Sequence, residues 1–284
     1  MKFVKIILLF LLSSGAATLQ NAFAQNKPAV VVSINPIHQI LLAITEDKNN
    51  SILIINPAIS EHDYQLKKRD AEAVAKSDLV FYIDENLEKN FAKLVKNKKA
   101  FQLSQINGIK LLPLRDNPQK IDYHLWMNPE NAIKIAEFIT AKLCEIDVTN
   151  YKKYQRNLLK FKSDVARDEN VIRQKFEKIK TTNYIFYHGG FQYFEDYFAL
   201  KPIKTLSTEH DEDLSINDVR AIDSLAQTHQ LQCLFGDPYD EKNSARKLAQ
   251  NYAIRFVTLD LIGAGKDYGD MLLGVANNMV GCLE

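Results

Sequence analysis

Three features of the 284-residue sequence predict an α/β protein with two lobes, each a parallel four-stranded sheet flanked by helices, joined by one long rigid α-helix. Short apolar runs rich in β-branched residues alternate with helical patterns, which is the signature of parallel sheets covered on both faces. The rhythm occurs once in each half of the chain. Between the halves lies a stretch without Gly or Pro whose apolar residues recur at mostly three-four spacing.

The chain opens on Met-Lys-Phe-Val-Lys, continues through an apolar run from Ile6 to Leu12, and reaches Ala22-Phe23-Ala24 before Gln25. This is the layout of a secretory signal peptide, with residues 1–24 removed on export. The apolar run is far too short to span a bilayer, which takes ~20 residues. The first cysteine is Cys144, far from the cleavage point, so export to the periplasm without a lipid anchor is expected. About 260 residues then remain, enough for one large domain or two of ~100–150. Hydrophobic content of 46% suits real cores, and a formal charge of +1 gives no reason to expect a nucleic-acid partner.

The N-terminal lobe, 25–148, has strands expected at Ala29–Ile34, Ile52–Ile55, Leu79–Ile83 and Ala100–Leu103. Asn35-Pro36 and Asn128-Pro129 each precede helical apolar patterns. Asparagine accepts from the free N–H groups of a helix start and proline fits the first turn, so both are read as helix caps. The linker, 149–180, carries Tyr151, Tyr154, Leu158, Phe161, Val165, Ile172, Phe176 and Ile179 on one face. It predicts a single helix of roughly 45 Å at 1.5 Å per residue, which would limit hinge motion. A coiled-coil dimer is the alternative, but the seam breaks at Asp168, and a monomer is expected. The C-terminal lobe, 181–284, has strands expected at Tyr184–Tyr187, Ile203–Leu206, Leu231–Phe235 and Arg255–Leu259.

An exported chain with three cysteines can form one disulfide and leave one thiol. Pairing Cys233 with Cys282 would tie the tail to a buried strand, a closure of ~50 residues worth about 4 kcal/mol. Cys144 then stays free. Plain core packing of all three is the alternative.

Ligands of open parallel sheets bind beyond the carboxyl ends of the strands. There the sequence places His62 after the second strand, His188 directly after Tyr184–Tyr187, and Asp260 directly after Arg255–Leu259; His124 stands before the Asn128-Pro129 helix start. Three imidazoles and one oxygen suit tetrahedral zinc, whereas manganese prefers more carboxylate oxygen. Gly189-Gly190 frees the backbone after His188. Asp63 and Asp122 are candidates to hold the second ring nitrogens. A histidine at a strand end is more often a hydrogen-bonded core or surface residue, so position alone does not make a site. No His-Glu-x-x-His motif is present to signal a zinc protease. His38 and His229 read as structural or exposed, and His210 as part of a solvated acidic loop.

Four segments, Ser60-Glu-His-Asp-Tyr-Gln-Leu66, His124-Leu-Trp-Met-Asn-Pro129, Tyr187-His-Gly-Gly-Phe-Gln-Tyr-Phe194 and Thr258-Leu-Asp-Leu-Ile-Gly263, resemble the site motifs of the zinc-binding substrate-binding proteins of ABC importers, in the same order and spacing. The resemblance covers essentially the whole mature chain. It implies zinc ligands at His62, His124 and His188, with Asp260, Glu61 or water completing the shell, and it supports the Cys233–Cys282 bond. It further implies a protein that is not an enzyme and that delivers zinc to an ABC permease driven by a cytoplasmic ATPase. A manganese or other divalent-metal carrier of the same family is the alternative, and a zinc hydrolase a more distant one. The manganese branch typically replaces the third histidine by a carboxylate, whereas His188 is kept here. Two departures stand out. Residues 106–122 contain no histidine, unlike the histidine-rich loop of many zinc members, and the aspartate motif reads Asp-Leu-Ile-Gly in place of the common Asp-Pro-Leu-Gly.

Overall fold

The computed structural model describes residues 27–60, 62, 64–96, 99–115, 117–179, 183–207, 216–229, 231–239 and 244–284. The expected signal peptide, Glu61, Asp63 and His210 lie outside the described residues.

The first lobe begins with β1 (Val30–Val32), α1 (Asn35–Thr45), β2 (Ser51–Leu53), α2 (Lys68–Lys76), β3 (Leu79–Tyr82), α3 (Lys89–Val95) and β4 (Ala100–Gln102). Its sheet is four-stranded and wholly parallel, in the order β2-β1-β3-β4. A small antiparallel hairpin, β5 (Leu112–Pro113) and β6 (Ile121–Asp122), follows, then α4 (Pro129–Ile146). The hairpin was not foreseen, since two-residue strands leave no alternation to read.

The long α5 (Tyr151–Phe176) runs for 26 residues, ~39 Å, after a short 3₁₀ turn at Val148–Asn150. It ends where Phe176 packs on the ring of Phe194 at 6.1 Å. The second lobe comprises β7 (Tyr184–His188), α6 (Gln192–Tyr197), β8 (Lys204–Ser207), α7 (Ile216–His229), β9 (Cys233–Gly236), α8 (Ser244–Asn251), β10 (Arg255–Thr258) and α9 (Tyr268–Leu283). Its four-stranded parallel sheet has the order β10-β9-β7-β8.

The apolar face of α5 explains how one helix serves both lobes. Tyr154, Leu158, Phe161, Val165 and Ile172 are buried, and the helix packs on α1 and α4 of the first lobe and on α9 of the second. Asn157 donates to the Ile44 carbonyl at 2.9 Å, and the ring of Phe161 meets that of Tyr268 at 5.7 Å. A Cβ at Gly269 would stand 2.2 Å from Asp168 Oδ2, so the close approach of α9 to α5 requires a residue without a side chain. One continuous apolar core runs from Val30–Val32 of the first lobe through Phe161 and Phe194 to Met279 of the second. Lobes sharing a core in this way have little freedom to swing apart.

The Asn128 cap forms as expected, its Oδ1 accepting from the N–H groups of Glu130 and Asn131. Asn35 does not cap its helix: it lies inside α1, and its amide donates to the carbonyls of Ile262 and Gly263 at 2.9 and 2.8 Å. Bonding between lobes has taken the side chain that local chemistry assigned to the helix end. Cys233 and Cys282 form a disulfide and Cys144 is a free, half-buried thiol. No helix among the described residues is long and apolar enough to cross a membrane.

Candidate metal centre

Strand β7 is buried along its whole length, because Tyr184, Ile185, Phe186 and Tyr187 are covered on both faces. The sheet register therefore fixes its last residue, His188, at the carboxyl edge, 1% exposed and paired with Ser207 of β8. Gly190 lets the ring sit where it does. A Cβ at that position would lie 2.9 Å from His188 Nε2, closer than real Cβ contacts run, and 3.0 Å from a methyl of Leu261, tighter than most.

His124 arrives differently. The hairpin strand β6 ends at Asp122, the chain turns through Tyr123, and His124 leads into a single 3₁₀ turn at Leu125–Met127. Asp122 Oδ1 accepts both the His124 backbone N–H at 2.9 Å and the ring Nδ1–H at 2.7 Å. With Nδ1 donating to a carboxylate, Nε2 carries the lone pair that a metal needs. Both residues are buried, His124 at 4% and Asp122 at 2% exposure. His62 stands in the connection between β2 and α2, its backbone N–H donating to Ser60 Oγ at 3.3 Å.

The three imidazoles converge where the lobes meet. Ring centroids are 5.7 Å apart for His62 and His124 and 5.3 Å for His124 and His188. Two imidazoles on one tetrahedral zinc, with Zn–N near ~2.0 Å, have centroids ~5 Å apart. Among the described residues no group of three or more His, Cys, Asp or Glu side chains is placed so that it could hold a metal ion as it stands, although the two ring spacings lie near that value. A cleft of about 330 Å³ opens beside His62 and His124, lined also by Asn86, Lys89, Lys120 and Tyr123.

Asp260 lies just beyond β10, and its carboxylate serves its own loop. It accepts from the N–H groups of Ile262, Gly263 and Ala264 at 3.1, 2.7 and 3.1 Å, with Lys266 Nζ 3.7 Å away. Three of the roughly four acceptor positions of a carboxylate are thus used. His38 is half-buried, bonded to Ser51 Oγ at 2.9 Å, and burial lowers its pKa, as befits a structural residue.

Several residues around the centre went unnoticed in the sequence. Trp126 places its ring 5.3 Å from that of His124 and donates from Nε1 to the Leu261 carbonyl at 2.9 Å, tying the His124 turn to the Asp260 loop. Tyr193, on the helix after His188, donates to the Asp122 carbonyl at 2.6 Å. Glu195, 1% exposed, meets Arg115 Nη2 at 2.5 Å, while Arg115 Nη1 also bonds Thr205 Oγ1. Burial pushes the Glu195 carboxyl up to about 7, the Arg115 guanidinium opposes this, and the negative charge of Asp122 adds to it. Asp237 follows β9 directly, where Asp260 stands two residues past the end of β10, and is wholly buried. Its strand-end position was the signal that could have found it.

Two parallel sheets joined by a long helix, with histidines from both sheets' loops and strand ends meeting between them, define a two-lobed binding protein. The chain belongs to the family described as zinc-uptake complex component A, periplasmic, whose model matches residues 30–282. It is 25% identical over 305 residues to the high-affinity zinc uptake system protein ZnuA of Yersinia pestis, covering 95% of this chain and 96% of that protein. It is 26% identical over 239 residues to the manganese ABC transporter substrate-binding lipoprotein PsaA of Streptococcus mitis, covering 80% and 76%. Among solved structures, the crystal structure of ZnuA superposes with a TM-score of 0.80 at 21% identity, over 90% of this chain and 98% of that one.

Proposed function

We propose that this chain captures Zn(II) between its lobes on His62, His124 and His188 and hands it to an ABC-type permease driven by a cytoplasmic ATPase. The observation that carries the reading is the meeting of the three rings, 5.7 and 5.3 Å apart, with Asp122 holding His124 in the tautomer that presents Nε2. A nitrogen-rich set favours zinc over manganese. The fourth donor is Asp260, using its remaining lone pair, or Glu61, or water reached through the cleft. The metal is cargo: binding and release are the whole task, with no catalysis. The signal-like N-terminus supports export to the periplasm, and the shared core supports work as a monomer.

The test is metal content by elemental analysis and affinity by titration calorimetry, with His188→Ala alongside. Stoichiometric zinc in the wild type and an affinity at least ~100-fold weaker in the variant are expected, since one of three nitrogen ligands is gone. Unchanged affinity in the variant overturns the ligand assignment. Manganese bound as tightly as zinc overturns the substrate assignment alone.

A further inference from the structure

The connection that carries His62 is anchored at both ends, and the two anchors differ in kind. At its far end Tyr64, 2% exposed, donates from its hydroxyl to Asp70 Oδ2 at 2.8 Å and accepts at its carbonyl from Asn90 at 2.9 Å, both within the first lobe. At its near end Asn56 organises a turn, its Oδ1 and carbonyl accepting from the N–H groups of Ala58 and Ile59, each at 3.0 Å. Into that turn reaches a residue of the second lobe: the Tyr239 hydroxyl donates to the Pro57 carbonyl at 2.8 Å.

Tyr239 is placed by the strand end next to His188. The register of β7 with β9 pairs Tyr184 with Cys233, Ile185 with Leu234 and Phe186 with Phe235, and Asp237 follows β9 directly, at the same carboxyl edge of the sheet where β7 ends on His188. Buried Asp237 accepts from the Tyr239 N–H at its Oδ1, 2.7 Å, which turns the chain outward from the sheet after Gly236. The turn after the strand next to that of His188 thus fastens the loop of His62, with Tyr239 and Pro57 182 residues apart in sequence.

We propose that Tyr239 is a positioning residue for His62. Its hydroxyl holds the first-lobe loop against the second lobe at the strand end beside that of His188, so that the His62 ring is seated from across the lobe boundary. A ligand on an otherwise local loop must be held in place before it can bind, and each conformation removed from that loop strengthens the hold on the metal. The proposal rests on the zinc reading above, but the geometry of the latch does not.

The experiment uses the full chain with Tyr239→Phe, which removes one oxygen and keeps the ring. Zinc release into excess chelator is expected to accelerate about 3- to 10-fold, the range for one lost neutral hydrogen bond. Zinc association should stay within about twofold of the wild type. Amide hydrogen exchange of the metal-free proteins should speed up in residues 57–64 and be unchanged in residues 112–122. Unchanged release, or exchange that accelerates equally in both segments, overturns the positioning role, the second result marking a general loosening of the lobes. A wild type that takes up no zinc sinks the functional reading instead, and the exchange measurement still decides whether Tyr239 holds the loop.

Discussion

The two lobes are one topology used twice, yet they deliver their histidines by different routes. Read from β8, the second sheet runs β8-β7-β9-β10, which matches β2-β1-β3-β4 strand for strand. In the second lobe the central first strand ends on His188 itself, so sheet register sets the ring. In the first lobe the equivalent strand leads to Asn35, whose amide grips the carbonyls of Ile262 and Gly263. Its two histidines come from connections, His62 from a loop and His124 from a turn after a hairpin. A strand-borne histidine inherits its position from backbone pairing. Loop-borne histidines need fasteners, and here Asp122, Tyr193 and Tyr239 make the bonds that tie down their segments.

If the second lobe is the preset platform, its staple should carry the largest single effect. The Cys233–Cys282 bond closes 49 residues and ties β9 to the last turn of α9. Cys282→Ser is expected to lower unfolding stability by about 4 kcal/mol, read from denaturant curves under oxidising conditions. A loss below ~1 kcal/mol would mean that packing of α9 alone sets the platform.

Gly190→Ala attacks the platform at His188. The new methyl meets His188 Nε2 and Leu261, so the ring or the backbone must move. Overpacking of this kind costs ~1–3 kcal/mol, and zinc affinity should fall with it. Normal affinity together with normal stability would show that His188 has more room than strand register implies. On the first-lobe side, Asp122→Asn should cost zinc affinity about 10- to 100-fold while leaving the fold intact, because an amide can present its N–H to Nδ1 and favour the wrong tautomer. If that change were silent, the hairpin and not the carboxylate would be what orients His124.

How much of this was legible in the sequence follows the same division. The strands of the two large sheets overlap the apolar runs that the sequence marks out, most cleanly at the central β1, β3, β7 and β9, which are buried and apolar, while the edge strands β2, β4, β8 and β10 carry polar or partly exposed residues. His188 was readable because it directly ends such a run. Asn128 was readable because capping is local. The fasteners were not: Tyr193 to Asp122, Arg115 to Glu195 and Tyr239 to Pro57 join residues 71, 80 and 182 apart. No local pattern distinguishes a tyrosine that will meet a carbonyl across the lobes from one that packs in place. Asn35 shows the reverse error, a sound local rule overridden by a partner 227 residues away.

A pH titration tests the seam between the two modes of delivery. Glu195, on α6 of the second lobe, grips Arg115 from the hairpin that leads to His124. Its folded pKa is about 7 against an ordinary 4.5, with burial the main cause. The folded state therefore holds this proton more tightly than the unfolded chain. Stability from the group is complete below about pH 4.5 and is lost as pH rises through about 7. Glu195→Gln removes the titration and keeps the shape. Across that window the variant's stability should fall less steeply with pH than the wild type's, by no more than one proton, or ~1.4 kcal/mol per pH unit. Urea midpoints of both proteins at intervals from pH 5 to 8 measure the difference. Parallel curves would mean that Arg115 keeps Glu195 ionised throughout, and the seam would then be a permanent ion pair fastening the hairpin as firmly as register fastens His188.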